Sequence, residues 1–248
     1  MSHHGNQKNP RRLKTKLEEN KAIIARADKG NSLVILPIEQ YDSKMTDFIS
    51  KNDFQTTTKD PTNSFQSQIR KVLNDSTNLI PPETKWRYTN MNPTAPTMKG
   101  LIKLHKPEHP IRPVVNWRGA PAYKLLTLFS HKIKLLAPLP NKFNLENTTD
   151  LIKRLNDTSI LPQFALASLD ITKLYTNVPV AETKKTIAKN LEENQTDPKS
   201  LQELLNWYDN IAQQNYFTNK EEILIQKDDL AMGAPTSGFD SRIFSTKP

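Results

Sequence analysis

Pro107, Pro110 and Pro113 crowd together inside "KGLIKLHKPEHPIRPVVNWRG", residues 99–119. Proline lacks a backbone N–H, and its ring collides with the carbonyl one helical turn earlier, so no helix runs through this stretch. Two short strands joined by a proline-containing turn are the fold it permits. Proline and basic residues are frequent throughout 89–121, so the predicted hairpin carries cations: Lys103, Lys106 and Arg112. If these alternate onto one face, they form a patch suited to a triphosphate, since charged donors to phosphate oxygens are the strong ones. A solvated basic hairpin is the alternative.

The rest of the composition points the same way. The 248 residues hold 35 Lys and Arg against 26 Asp and Glu, a net charge of +9. That balance favours a polyanionic partner, because cations laid on phosphates release condensed counterions. A merely soluble basic protein has the same composition. Cysteine is absent, which excludes disulfides, thiolate metal sites and cysteine nucleophiles. No apolar run is long enough to cross a bilayer, and the N-terminus lacks the apolar core of a secretory signal. An intracellular location, the nucleus included, is the expectation. Residues 1–17 contain Lys8, Arg11, Arg12, Lys14 and Lys16 and no acid, and read as a disordered basic arm.

Further along, Asp28-Lys29-Gly30-Asn31 has turn chemistry and 33–36 reads as a strand. Residues 52–64 read as loop. A short helix is predicted over 67–79, ended by Pro81-Pro82. Ala122, Leu125, Leu126, Phe129, Ile133 and Leu136 recur at helical spacing. Further helices are predicted over 150–155, from Pro179 through Leu191, and over 201–212. The last follows Ser200-x-x-Glu203, which has the form of a capping box. "YFTNKEEILIQ", 216–226, reads as a hairpin turning at Asn219-Lys220.

The apolar run 164–169 reads as a buried strand that ends on Asp170. A carboxylate beside such a core needs a partner. It either caps the turn or holds a cation, and Mg²⁺ is usually held by one or two carboxylates together with substrate phosphates. Tyr175 lies past the turn, where its ring either packs in the core or faces a sugar. "LAMGAPTSG", 230–238, offers Gly233 for close backbone approach to a ligand. Asp228 and Asp229 read as turn and helix N-terminal residues.

Taken in order, "ADKGNSLVIL", "KLHKP…IRPVV", "LDITKLYTNVP" and "LAMGAPTS" resemble the reverse transcriptases of Penelope-like retroelements, over roughly residues 27–237. The resemblance implies an α+β fold: the fingers and a partial palm, its sheet incomplete, of a right-handed polymerase. A basic N-terminal arm would span 1–26, a fingers-like region 27–162 and the partial palm 163–248. Asp170 would be the first metal-binding aspartate, holding Mg²⁺, and Tyr175 the ribose gate. Arg112, with Lys103, would contact the incoming nucleotide's phosphates, and Lys29 would sit near them. Met232, Gly233 and Ser237 would line the nucleotide and template side. The implied partners are an RNA template, a DNA primer and deoxynucleoside triphosphates, with no membrane.

Many relatives carry glycine where Asp229 stands and proline where Gly238 stands. A Tyr-x-Asp-Asp sequence, the family's source of its second essential carboxylate, does not occur in these 248 residues. Two-metal phosphoryl transfer places its ions about 3.5–4 Å apart, which one aspartate serves poorly. The expectation is therefore a polymerase fragment that synthesises little on its own. A non-catalytic nucleic-acid-binding remnant and a basic interaction protein are the alternatives.

Overall fold

A computed structural model of the chain describes residues 10–138, 145, 147–156 and 179–226. The proline-rich stretch forms the expected hairpin, β4 (Thr97–Ile102) and β5 (Ile111–Asn116), with Leu101 opposite Arg112. Side chains alternate cleanly. Met98, Gly100, Ile102 and Val115 are buried, while Lys99, Arg112, Val114 and Asn116 face out. Proline survives in β5 because this strand lies at the sheet edge, where a missing ladder donor is tolerated. Opposite Pro113, the Gly100 N–H donates to Tyr41 Oη at 2.7 Å. A Cβ on Gly100 would lie 2.9 Å from Met45 Sδ, so glycine admits this close approach.

A second ribbon, β1 (Ala22–Arg26) and β2 (Leu33–Pro37), joins this hairpin at its far end. The turn between its strands uses Gly30 at φ +78° and Asn31 at φ +54°, the residue types that tolerate left-handed backbone. Ala27 bridges in parallel to Ile102, and the Asp28 N–H donates to the Ile102 carbonyl at 2.8 Å. Ala25, Leu36 and Ile102 close a small core at this junction.

Ahead of the ribbon, α1 (Pro10–Glu19) corrects the reading of residues 10–17 as disordered. The run has good helix formers, a proline at its first position and a Lys14–Glu18 pair at 3.7 Å, and it packs on β1. Its block of cations hid that pattern.

The larger sheet has the order β3-β7-β6-β4-β5 and is open rather than barrel-closed. β6 (Tyr216–Asn219) and β7 (Glu222–Gln226) form the expected hairpin, with Lys220 at φ +56° in its turn. β6 meets β4 in parallel at Thr97–Thr218. The outer strand, β3 (Phe54–Thr57), corrects the reading of 52–64 as loop. Phe54 sits edge-on against Phe217, ring centres 5.2 Å apart. The sheet thus takes strands from both the 27–162 and the 163–248 segments.

The helices are α2 (Ile38–Ser50), α3 (Thr62–Asp75), α4 (Tyr123–Leu136), α5 (Thr148–Asn156), α6 (Val180–Glu193) and α7 (Pro198–Ala212). α4, α5 and α6 lie where the apolar spacing puts them. α3 begins earlier than expected, where Asp60 Oδ1 accepts the Thr62 N–H at 2.8 Å, and ends at Asp75. Helices α3, α4, α6 and α7 share the main core, centred on Ile69, Leu125, Phe129, Leu191 and Trp207. Trp207 Nε1 donates to Ser76 Oγ at 2.7 Å.

Ser200 and Glu203 do not form a capping box. The N-cap of α7 is Asp197, whose carboxylate accepts from the Ser200 N–H at 2.9 Å. Pro198 then occupies the first turn, where it has no donor to lose. Glu203 reaches away from its own helix and accepts the N–H groups of Thr77, Asn78 and Leu79 at 2.7–2.9 Å. It ties the turn after α3 to α7.

Candidate anion-binding site

The exposed face of the β4–β5 hairpin is the described surface that gathers sequence-predicted site residues. Strand alternation puts Lys99 and Leu101 on one face with Arg112, and Lys103 follows at the next outward position. The Lys103 N–H donates to the Pro110 carbonyl at 2.9 Å, so the strands stay paired one step past Ile102. The Lys106 N–H closes the turn on the Lys103 carbonyl at 3.1 Å. Lys103, Lys106 and Arg112 are therefore brought together at one end of one hairpin.

One residue that the sequence reading assigned only to turn chemistry completes the arrangement. Asp28 Oδ1 lies 2.9 Å from Arg112 Nη1. The two partners differ sharply in exposure: the Asp28 side chain is 1% exposed and that of Arg112 54%. The carboxylate is thus an inner wall and the guanidinium an outer surface. Asp28 Oδ2 is buried without a hydrogen-bond partner. The carboxylate is held there by its own backbone, through the Asp28 N–H to Ile102 carbonyl bond at the end of β4. Lys29 follows it, exposed, in the turn.

Lys103 feels this crowding. Partial burial pushes its ammonium below the ordinary lysine value, the nearby Arg112 and Lys106 charges push it the same way, and Asp28 partly opposes them. Three neighbouring cations that repel one another, Lys103, Lys106 and Arg112, with a buried carboxylate behind the arginine, form a surface that an incoming polyanion relieves.

The other predicted site residues, Asp170, Tyr175, Met232, Gly233 and Ser237, lie outside the described residues, as do the predicted strand 164–169 and Asp228-Asp229. Among the described residues, no group of three or more His, Asp or Glu could hold a metal ion. No helix among the described residues is long and apolar enough to cross a membrane.

Asp28 left a faint signal in the sequence. An acid just past a short strand and directly before Lys-Gly has the form of a turn former, and its cationic partner is remote in the chain. No family model matches this chain, and neither the curated proteins nor the solved structures contain a match to it.

Proposed function

We propose that this chain is a region of a retroelement-derived, RNA-directed DNA polymerase of the Penelope-like kind, comprising fingers and part of the palm. In this reading Lys103 and Arg112 meet the phosphates of a nucleotide or of a template–primer hybrid. Asp170 would supply a Mg²⁺ ligand, Tyr175 would stand against the sugar, and Met232, Gly233 and Ser237 would line the template side. The supporting observation is the pairing of two separate sequence segments. "ADKG" and "IRPVV", which resemble family segments, meet through Asp28 and Arg112 beside Lys103. A solvated basic hairpin does not require a buried carboxylate behind its arginine.

The test is binding of a labelled RNA–DNA hybrid, followed by fluorescence anisotropy across a salt series. Salt-sensitive binding that weakens in Arg112→Ala and in Lys103→Ala is the expected result. Equal binding by both variants and the wild type would refute the reading. Primer extension with Mg²⁺ or Mn²⁺ separates the catalytic form of the proposal from a second one, a nucleic-acid-binding protein without chemistry. These 248 residues hold no Tyr-x-Asp-Asp sequence, so on the polymerase reading this stretch synthesises little by itself. Hybrid binding without Asp170-dependent synthesis is the outcome expected.

A further inference from the structure

We infer that Asp28 is a positioning residue for anion binding: its buried carboxylate fixes the Arg112 guanidinium so that the donors left free present one orientation to a phosphate at the Lys103 end of the hairpin. The inference rests on the anion-binding reading above and adds to it a residue, a role and a sign.

Three observations carry it. The ion pair is lopsided, with an interior acid and a surface base. An arginine on an exposed strand ordinarily samples many rotamers, and ordering it when a ligand arrives costs affinity. Pairing it in advance with a fixed acceptor removes that cost. Next, the carboxylate itself is fixed: the Ala27–Ile102 bridge and the Asp28 N–H bond to the Ile102 carbonyl place it at the end of the strand that leads into Lys103. A movement of one would move the other. Finally, arginine has five N–H donors in a planar fork, and its contact with Asp28 is made through Nη1 to one carboxylate oxygen. The half-exposed remainder suits an oxyanion that accepts more than one donor.

A purely neutralising ion pair makes the opposite prediction. The cluster holds three cations, Lys103, Lys106 and Arg112, against one carboxylate. Removing that negative charge raises the local positive potential and, if orientation were irrelevant, would tighten polyanion binding. If Asp28 positions Arg112, Asp28→Asn weakens binding even though the protein has become more positive. The sign of the change therefore separates the two roles.

The experiment measures binding of inorganic tripolyphosphate by calorimetry and of a labelled RNA–DNA hybrid by anisotropy, using the full chain and four forms: wild type, Asp28→Asn, Arg112→Lys and the double variant. Asp28→Asn should weaken both ligands about fivefold. Arg112→Lys, which keeps the charge and loses the fork, should weaken them by a similar factor. In the Arg112→Lys background, Asp28→Asn should weaken nothing further, because the group it orients is gone. Affinity unchanged or improved in Asp28→Asn would overturn the inference, and so would fully additive losses in the double variant. Circular dichroism accompanies each form. Were Asp28→Asn unfolded, Asp28→Glu, which keeps the charge and displaces the carboxylate by one methylene, would decide: an affinity equal to wild type rules orientation out, and a loss of about fivefold with the charge unchanged upholds it. Wild-type binding with an indifferent Asp28→Asn sinks this inference alone, whereas no binding by the wild type sinks the nucleic-acid reading and this inference together.

Discussion

Two side chains show how position sets protonation. Tyr216 is buried beside Thr62, its hydroxyl 2.8 Å from Thr62 Oγ1, and burial pushes its phenol up to about 12. The folded value is raised above the ordinary one near 10, so the phenol's contribution is intact below pH 10 and is lost as pH rises toward 12. Tyr216→Phe removes that alkaline decline. It also leaves the buried Thr62 hydroxyl without this partner, which costs about 1–3 kcal/mol at neutral pH. Urea titrations at pH 8 and pH 11 check both, and an unchanged alkaline slope in the variant would contradict the assignment. Lys103 runs the other way. Its value is lowered by burial, by Arg112 and by Lys106, so its charged form opposes folding at neutral pH and stability recovers as pH rises through the lowered value. Anion binding has the reverse dependence, strongest while Lys103 is charged and falling at a lower pH than an ordinary lysine would give. Lys103→Arg should move that fall to higher pH, as read from tripolyphosphate affinity between pH 8 and 11.

Between elements, the Glu203 carboxylate is the clearest single tie. It gathers three backbone donors from the turn that follows α3. Glu203→Ala leaves them to solvent and should cost about 1–3 kcal/mol, with faster amide exchange at residues 77–79. Glu203→Gln, which keeps a single acceptor oxygen, should lose less. Unchanged exchange in Glu203→Ala would show that the turn holds itself. The same residue marks where sequence reasoning works and where it fails. Helices α4, α6 and α7 and both hairpins of the larger sheet were legible, because each is encoded by local apolar spacing or by turn residues. The Ser200-x-x-Glu203 spacing was legible too, yet misleading: Asp197 and Pro198 supply a stronger start three residues earlier, which frees Glu203 for a distant partner. Strand β3 was hidden because Phe54-Gln55-Thr56-Thr57 is too short to announce itself and becomes a strand only against β7. Asp28 was hidden for a similar reason, since Arg112 gives it meaning and no local pattern links the two. Within the candidate site, the cations of the hairpin were visible and the carboxylate behind them was not.

Across the whole molecule, the +9 charge sets a background attraction to any polyanion, on which the hairpin adds a localised contribution. The two separate by salt. If Lys99, Lys103 and Arg112 each meet a phosphate, log affinity should fall against log salt with a slope of about −3. Arg112→Ala should flatten the slope by about 1, and substituting a lysine of α1 should alter it less. A slope indifferent to Arg112 would assign binding to diffuse charge. The outer strand carries a different consequence for the whole chain. Phe54 pairs with Gln226, so β3 is made long before the strand it needs. At about 5–20 residues per second, a ribosome that has just placed Phe54 takes roughly 10–35 s to reach that partner. Throughout that interval Phe54 lacks both its strand partner and the Phe217 ring it packs on, so the outer edge of the sheet is completed only once most of the chain has been synthesised.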